Sequence, residues 1–122
     1  MIGSLMMSVS VVVLLIGMLA GVAMGMQENF ALEPAHAHLN LVGGVLLFLF
    51  GLYYRLVPAA GASRLAKIQG WLHIVGGILF PIGVAIVILK GTSFIAFPIV
   101  GSLTVVAATA LFALIVFRTA WD

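Results

Sequence analysis

The segment "IGSLMMSVSVVVLLIGMLAGVAMGM" (residues 2–26) decides the fold, because it contains no charged residue. It is longer than the ~20 residues that a helix needs to cross the hydrocarbon core of a bilayer. Three further uncharged runs of similar length follow it. With their flanking residues, these runs predict four membrane-spanning helices at about 2–26, 34–55, 66–89 and 94–118.

The composition of the whole chain agrees with this interpretation. Of its 122 residues, 65% are hydrophobic and 7% are charged, whereas a soluble domain has about 25% charged residues. The alternation of apolar and polar residues that a membrane barrel needs is absent. Short loops place consecutive helices antiparallel to each other. We therefore expect an all-α membrane protein with a single transmembrane domain over residues 1–122, folded as a four-helix antiparallel bundle.

The charged residues predict the orientation of the bundle, since cytoplasmic loops carry an excess of Lys and Arg. The first loop holds Glu28 and Glu33, and only Lys90 opposes the pattern. The other basic residues flank the second loop or close the fourth helix: Arg55, Arg64, Lys67 and Arg118. Both termini are therefore expected in the cytoplasm, with the protein in a bacterial inner membrane. The first run lacks the basic start of a signal peptide and is too long for one, so we expect it to be a helix.

Gly17, Gly21 and Gly25 are spaced four residues apart in the first predicted helix. Small residues at this spacing form a ridge that lets another helix backbone approach closely. Such a ridge also suits a flat cofactor, and the two uses are compatible.

The stretch "AHAHLN" (residues 35–40) contains two of the three histidines of the chain. Ionisable residues inside a membrane are costly and mark functional sites by default. His36 and His38 are about 200° apart around a helix, so one metal ion inside the bundle contacts only one of them. We expect His38, the deeper one, to be the ligand and His36 to lie at the rim. The remaining cofactor contacts would come from Asn40, Gly21 and Gly25.

Two methionines and the third histidine complete the set of candidate metal ligands. Met24 and Met26 end the first helix at the height of His38, and a thioether suits a haem iron or copper(I). His73 lies in the third helix, which starts at the opposite face of the membrane. The two imidazoles are then about 15–25 Å apart along the membrane normal. His38 and His73 are not expected to hold one haem between them, unless the third helix re-enters the membrane.

The motif "HLN" (residues 38–40), followed by "GLYYRLVP" (residues 51–58), resembles the second transmembrane helix of subunit I of the haem-copper oxidase and nitric oxide reductase superfamily. In that family the histidine is an axial ligand of the low-spin haem. The resemblance places this role on His38, with Asn40 as its neighbour. "WLHIVGG" (residues 71–77) loosely resembles the start of the family's third helix, and no role passes to His73 from it.

The resemblance covers mainly residues 35–58, and the departures from the family are large. The family's helices that carry the copper ligands, the active-site haem ligand and the second low-spin haem ligand are missing. Reduction of oxygen or nitric oxide by this chain alone is therefore not expected. The sixth ligand of a haem on His38 would come from Met24 or Met26, from a partner protein, or from the same histidine of a second copy.

These features predict a haem b-binding protein that transfers electrons or handles haem beside a respiratory complex. One alternative is copper binding or delivery through Met24, Met26, His36 and His38, and another is a non-catalytic scaffold or assembly subunit. The chain has no cysteine, which excludes thiolate sites, and no nucleotide loop, zinc motif or acid/base pair indicates an enzyme. The expected partners are the lipid bilayer and a second copy or a larger membrane complex, not nucleic acid.

Overall fold

Four long helices make up the computed structural model, which describes residues 1–121 and leaves Asp122 outside the description. They are α1 (Ile2–Gln27), α2 (Glu33–Leu56), α3 (Arg64–Lys90) and α4 (Ala96–Thr119). Each is long and apolar enough to cross a membrane. The all-helical fold with four candidate membrane spans is confirmed, with bounds that agree to within one or two residues. Four such helices indicate a multi-pass membrane protein.

Helix α2 is not a uniform α-helix. It is α-helical over Glu33–His38 and over Leu47–Leu56, and it forms a π-helix over Leu39–Leu46. A π-helix bonds each backbone N–H to the carbonyl five residues back instead of four, and it is rare and frequently marks functional sites. Pro34 occupies the first turn of α2, where its missing amide hydrogen is not needed. The π segment was not predicted from the sequence.

The ends of the helices are fixed by local hydrogen bonds. Ser63 caps α3, because its hydroxyl oxygen accepts a hydrogen bond from the backbone N–H of Ala66 (3.1 Å). Helix α1 ends at Glu28, which adopts the left-handed conformation with φ 50°. The N–H of Asn29 then returns to the carbonyl oxygen of Met24 (3.1 Å). These bonds satisfy backbone groups that the helix ends would otherwise leave unpaired.

The bundle has a terminal end and a distal end. The terminal end holds Met1, the short helical turn Pro58–Gly61 and Trp121. The distal end holds the connection over residues 28–32 and the 3-10 turn Thr92–Phe94.

The hydrophobic core lies in the terminal half of the bundle. Met6 of α1 and Leu47 of α2 are fully buried there. The rings of Phe50 of α2 and Phe112 of α4 stack with centroids 3.8 Å apart. Towards the distal end a groove opens between α1 and α3, although α3 and α4 cross closely there at Gly83 and Gly101.

Glycines set the close crossings between the helices. Helices α1 and α2 cross at Gly3 and Gly51, where a Cβ added to either would lie 2.7–2.8 Å from the carbonyl oxygen of the other. Helices α2 and α3 cross at Gly43 and Gly77, where a Cβ on Gly43 would lie 2.8 Å from the Gly77 carbonyl oxygen. Small residues permit such close approach of backbones. Because Gly43 and Gly77 are in contact, they mark one depth in the bundle.

Candidate functional site

His36 and Asn40 lie on the face of α2 that packs against α1. A Cβ added to Gly21 would lie 3.0 Å from His36 Cε1, and one added to Gly17 would overlap the Asn40 amide. The amide nitrogen of Asn40 donates a hydrogen bond to His36 Nε2 (3.2 Å). Two residues four apart on α2 thus meet two glycines four apart on α1. The glycine ridge receives polar side chains of the same chain.

His38 lies on another face of α2, away from the glycine ridge. Its ring meets the ring of Phe80 of α3 edge-on, with centroids 4.7 Å apart. Its Nδ1–H donates a hydrogen bond to the carbonyl oxygen of Pro34 (2.6 Å). This bond fixes the tautomer, so the free lone pair is on Nε2. At this end of α2, His38 is therefore the histidine with a ring nitrogen available to a ligand.

The structure does not bring the whole predicted site together. His36, not the expected His38, faces the ridge, because the residues four apart take that face and His38 is turned about 200° from His36. Met26 is 81% exposed at the end of α1. A Cβ added to Gly25 would meet no atom of the described chain within 4 Å. Neither Met26 nor Gly25 therefore forms a site with His38.

Met24 and His36 line the distal end of the groove between α1 and α3. This part of the groove encloses ≈ 360 Å³, and it continues past Leu39 and Ile82 into an apolar part of ≈ 610 Å³. The groove thus brings one thioether and one imidazole to the same cavity, although the imidazole already accepts a hydrogen bond from Asn40. Within residues 1–121, no three His, Cys, Asp or Glu side chains are close enough together to hold a metal ion.

His73 is fully buried in the bundle. Its Nε2–H donates a hydrogen bond to the carbonyl oxygen of Val42 in the π segment (2.9 Å). Gly43 and Gly77 lie at the same depth because they are in contact. His38 is five residues from Gly43 towards the distal end, and His73 is four residues from Gly77 towards the terminal end. The two histidines are therefore separated by the rise of about nine helical residues, or about 13 Å. This separation is slightly shorter than expected and still too long for one haem. His73 joins α3 to α2 and shares no site with the other candidate ligands.

Three consecutive residues at the terminal end of α2 bind the other three helices. The hydrogen bonds join Arg55 to Ser4 of α1 (2.8 Å), Tyr54 to Gln69 of α3 (2.8 Å) and Tyr53 to Thr119 of α4 (2.7 Å). Sequence reasoning missed Gln69, which is fully buried. The available signal was an amide side chain near the start of an otherwise apolar helix.

No protein-family model matches this chain, and no curated protein or solved structure matches it either. The resemblance of residues 35–58 to subunit I of the oxidase and reductase superfamily therefore stays a prediction.

Proposed function

We propose that this chain is a membrane-embedded haem b-binding protein that transfers electrons or handles haem beside a respiratory complex. The observation that carries the proposal is the hydrogen bonding of His38, whose Nδ1–H donates to a backbone carbonyl while Nε2 is free. Histidines that bind metals commonly have this arrangement, because the second bond orients the ring and raises the basicity of the ligating nitrogen. A bound haem supplies an iron centre for electron transfer, with a potential set by its axial ligands and surroundings.

The surroundings of His38 suit an apolar macrocycle. The ring of Phe80 lies against the imidazole, and Leu41, one turn further along α2, is exposed at the surface of the bundle. An imidazole beside exposed apolar side chains can hold a metal while the rest of a flat ligand packs against the helix. The motif "HLN" supports the same residue, because its resemblance places a haem ligand on His38.

The second axial ligand would come from another chain. Met24 lines the groove on the other side of α2, and Met26 is exposed at the end of α1. Neither is placed beside His38. A two-fold axis next to α2 would bring His38 of a second copy to the same depth, which requires no additional residue. We therefore expect the haem to be shared between two copies or with a larger membrane complex.

The proposed orientation places the terminal end in the cytoplasm and His38 near the opposite surface of a bacterial inner membrane. An excess of basic residues marks the cytoplasmic side of membrane proteins. Arg55, Arg64, Lys67 and Arg118 lie towards the terminal end, whereas the distal end carries Glu28, Glu33 and Lys90.

Visible spectra and metal analysis of the protein purified in mild detergent test this function. Protein from haem-replete cells should show a Soret band that changes on reduction, and it should contain iron but no copper. His38→Ala should lose most of the haem. His36→Ala is the matched control and should keep it, since His36 accepts its hydrogen bond from within the chain. A colourless and metal-free wild-type protein, or a folded His38→Ala variant that retains its haem, would contradict the proposal.

Copper(I) binding is a second candidate that one observation favours. Met24 and His36 line the same cavity, and a thioether with an imidazole suits a soft metal ion. This function predicts copper without a Soret band, and loss of copper in Met24→Leu but not in Met26→Leu. A preparation with neither metal nor pigment would instead indicate a scaffold, for which the support is the bond from His73 to Val42.

A further inference from the structure

Three polar side chains are fully buried among residues 1–121, namely Ser10 of α1 and Gln69 and His73 of α3. Gln69 and His73 are four residues apart, so their side chains share one face of α3. Leu47, which is fully buried in the same half of the bundle, has no group that could bond to them, and the thioether of Met6 is only a weak acceptor. Buried polar groups normally have partners, so the bonding of these three side chains needs to be accounted for.

Ser10 lies at the same depth as His73. On α1, Met6 lies one turn before Ser10 and contacts Gly70, and Val13 lies about one turn after Ser10 and contacts Gly43. Gly43 is in contact with Gly77 of α3. Ser10 is therefore placed between the depths of Gly70 and Gly77, which is where His73 lies along α3.

The hydrogen bonds that these side chains already make leave one donor group, the Gln69 NH2, and two acceptor atoms. Gln69 Oε1 accepts from the hydroxyl of Tyr54 (2.8 Å), and Gln69 Nε2 has no partner in the described part of the chain. His73 Nε2–H donates to Val42, so the unpartnered Nδ1 is an acceptor. The Ser10 hydroxyl donates to its own helix backbone (2.8 Å), which leaves its oxygen able to accept.

We propose that one water molecule binds between these three side chains in the core of the bundle. The water accepts a hydrogen bond from Gln69 Nε2, donates one to His73 Nδ1 and donates the other to Ser10 Oγ. About three hydrogen bonds are typical of a buried water. Two hydrogen bonds of about 2.8 Å that meet at the tetrahedral angle of one water oxygen join atoms about 4.5 Å apart. Side chains four apart on a helix, with Cβ atoms about 5–6 Å apart, can place their polar ends at that separation.

The water completes a hydrogen-bonded chain through three helices. The chain runs from the Tyr54 hydroxyl through Gln69 to the water, and from the water through His73 to the Val42 carbonyl oxygen in the π segment. Ser10 attaches α1 to the same point. The site binds water because it presents both a donor and acceptors, whereas a metal cation would find no anionic side chain here.

Solid-state NMR of the full chain in lipid bilayers tests the site. In protein with 15N-labelled histidine and glutamine and 13C-labelled leucine methyl groups, polarisation is transferred from water protons. His36→Ala and His38→Ala identify the His73 signals by elimination. His73 Nδ1 should receive water polarisation several-fold faster than the methyl groups of Leu47, which is equally buried. Transfer to His73 as slow as that to Leu47 would overturn the proposal. A direct Gln69 Nε2 to His73 Nδ1 hydrogen bond, seen as a nitrogen–nitrogen correlation, would also overturn it.

Variants separate the water site from the general packing of the bundle. In Gln69→Leu, water transfer to His73 Nδ1 should fall to the Leu47 level and the Nδ1 resonance should move. Tyr53→Phe is the matched control, because its hydroxyl is bonded to Thr119, and it should leave both readouts unchanged. If Gln69→Leu does not fold, Ser10→Ala gives the same test, since it removes one acceptor of the water and should slow the transfer. Unchanged transfer in a folded Gln69→Leu protein would contradict the site.

Discussion

At the scale of single residues, the three glycines of the α1 ridge have different environments although their spacing is uniform. Gly17 accommodates the Asn40 amide, Gly21 contacts the His36 ring and Gly25 has nothing near it. The spacing shows where a backbone can be approached closely. Which side chain packs against each glycine, if any, depends on the residues of the neighbouring helix α2.

Gly17→Ala should destabilise the bundle, because the added methyl group would overlap the Asn40 amide and force it out of its site. Overpacking of this kind costs about 1–3 kcal/mol of unfolding free energy. Gly25→Ala is the control and should be neutral or slightly stabilising, since alanine favours the helix more than glycine does. Unfolding in mixed detergent micelles measures both, and equal losses in the two variants would refute the assignment of Asn40 to Gly17.

Tyr54→Phe should also destabilise the protein, because it leaves the buried Gln69 Oε1 without its donor. The expected cost is about 1–3 kcal/mol of unfolding free energy. Tyr53→Phe should cost less, since Thr119 keeps its own bond to the carbonyl oxygen of Ile115 (2.7 Å) and Tyr53 is only half-buried. The same unfolding measurement compares the two. A larger loss in Tyr53→Phe would show that the buried bond is not the stronger one.

At the scale of the elements, the four helices and their bounds could be predicted because the length of an uncharged run depends on local composition alone. The inward face of α2 could not be predicted in the same way. The π segment Leu39–Leu46 offsets the two α-helical parts by about one residue relative to a continuous α-helix. A helical wheel for the whole of α2 therefore misplaces one of its halves. His38 was expected at the site because it lies deeper than His36, but depth does not show which face of α2 packs against α1, and that face carries His36.

The sequence predicted the side chains of the candidate site that could bind a ligand, but it did not predict the backbone groups to which those side chains bond. Histidines in a membrane helix, and the motif around His38, pointed to a ligand. The partner of His73 is the carbonyl oxygen of Val42, and that of His38 is the carbonyl oxygen of Pro34. Every residue carries a backbone carbonyl, so no sequence pattern shows which one a histidine binds.

Gly43→Ala should disturb the crossing of α2 with α3. The added Cβ would lie 2.8 Å from the Gly77 carbonyl oxygen, and backbone cannot rotate away as a side chain can. We expect a loss of about 1–3 kcal/mol and a weaker bond from His73 to Val42, visible as a shift of the His73 Nε2 resonance. Val45→Ala changes an exposed position of the same π segment and should leave that resonance in place. An unaltered resonance in Gly43→Ala would contradict the tight crossing.

At the scale of the whole molecule, the two ends are held together by different contacts. Three side-chain bonds and the stacked rings of Phe50 and Phe112 join all four helices at the terminal end. At the distal end α1 and α3 leave a groove between them. Met24 and His36 line this groove, whereas His38 lies on another face of α2 against Phe80.

The orientation of the whole molecule can be measured with single cysteines, because the natural chain has none. Ala62→Cys places a thiol at the terminal end and Ser93→Cys places one at the distal end, both at exposed positions. In intact spheroplasts, a membrane-impermeant maleimide should label Ser93→Cys and not Ala62→Cys, and lysis should make both reactive. Labelling of Ala62→Cys alone before lysis would reverse the proposed orientation.

The three bonds at the terminal end of α2 also imply an order of assembly during translation. Ser4 has already left the ribosome when Arg55 emerges, so the bond between them can form as soon as α2 enters the membrane. Gln69 follows with α3, and Thr119 arrives only with the last turn of α4. The partners of α2 therefore become available in the order α1, α3 and α4, and a nascent chain stalled before its fourth helix contains the partners of Arg55 and Tyr54 but not that of Tyr53.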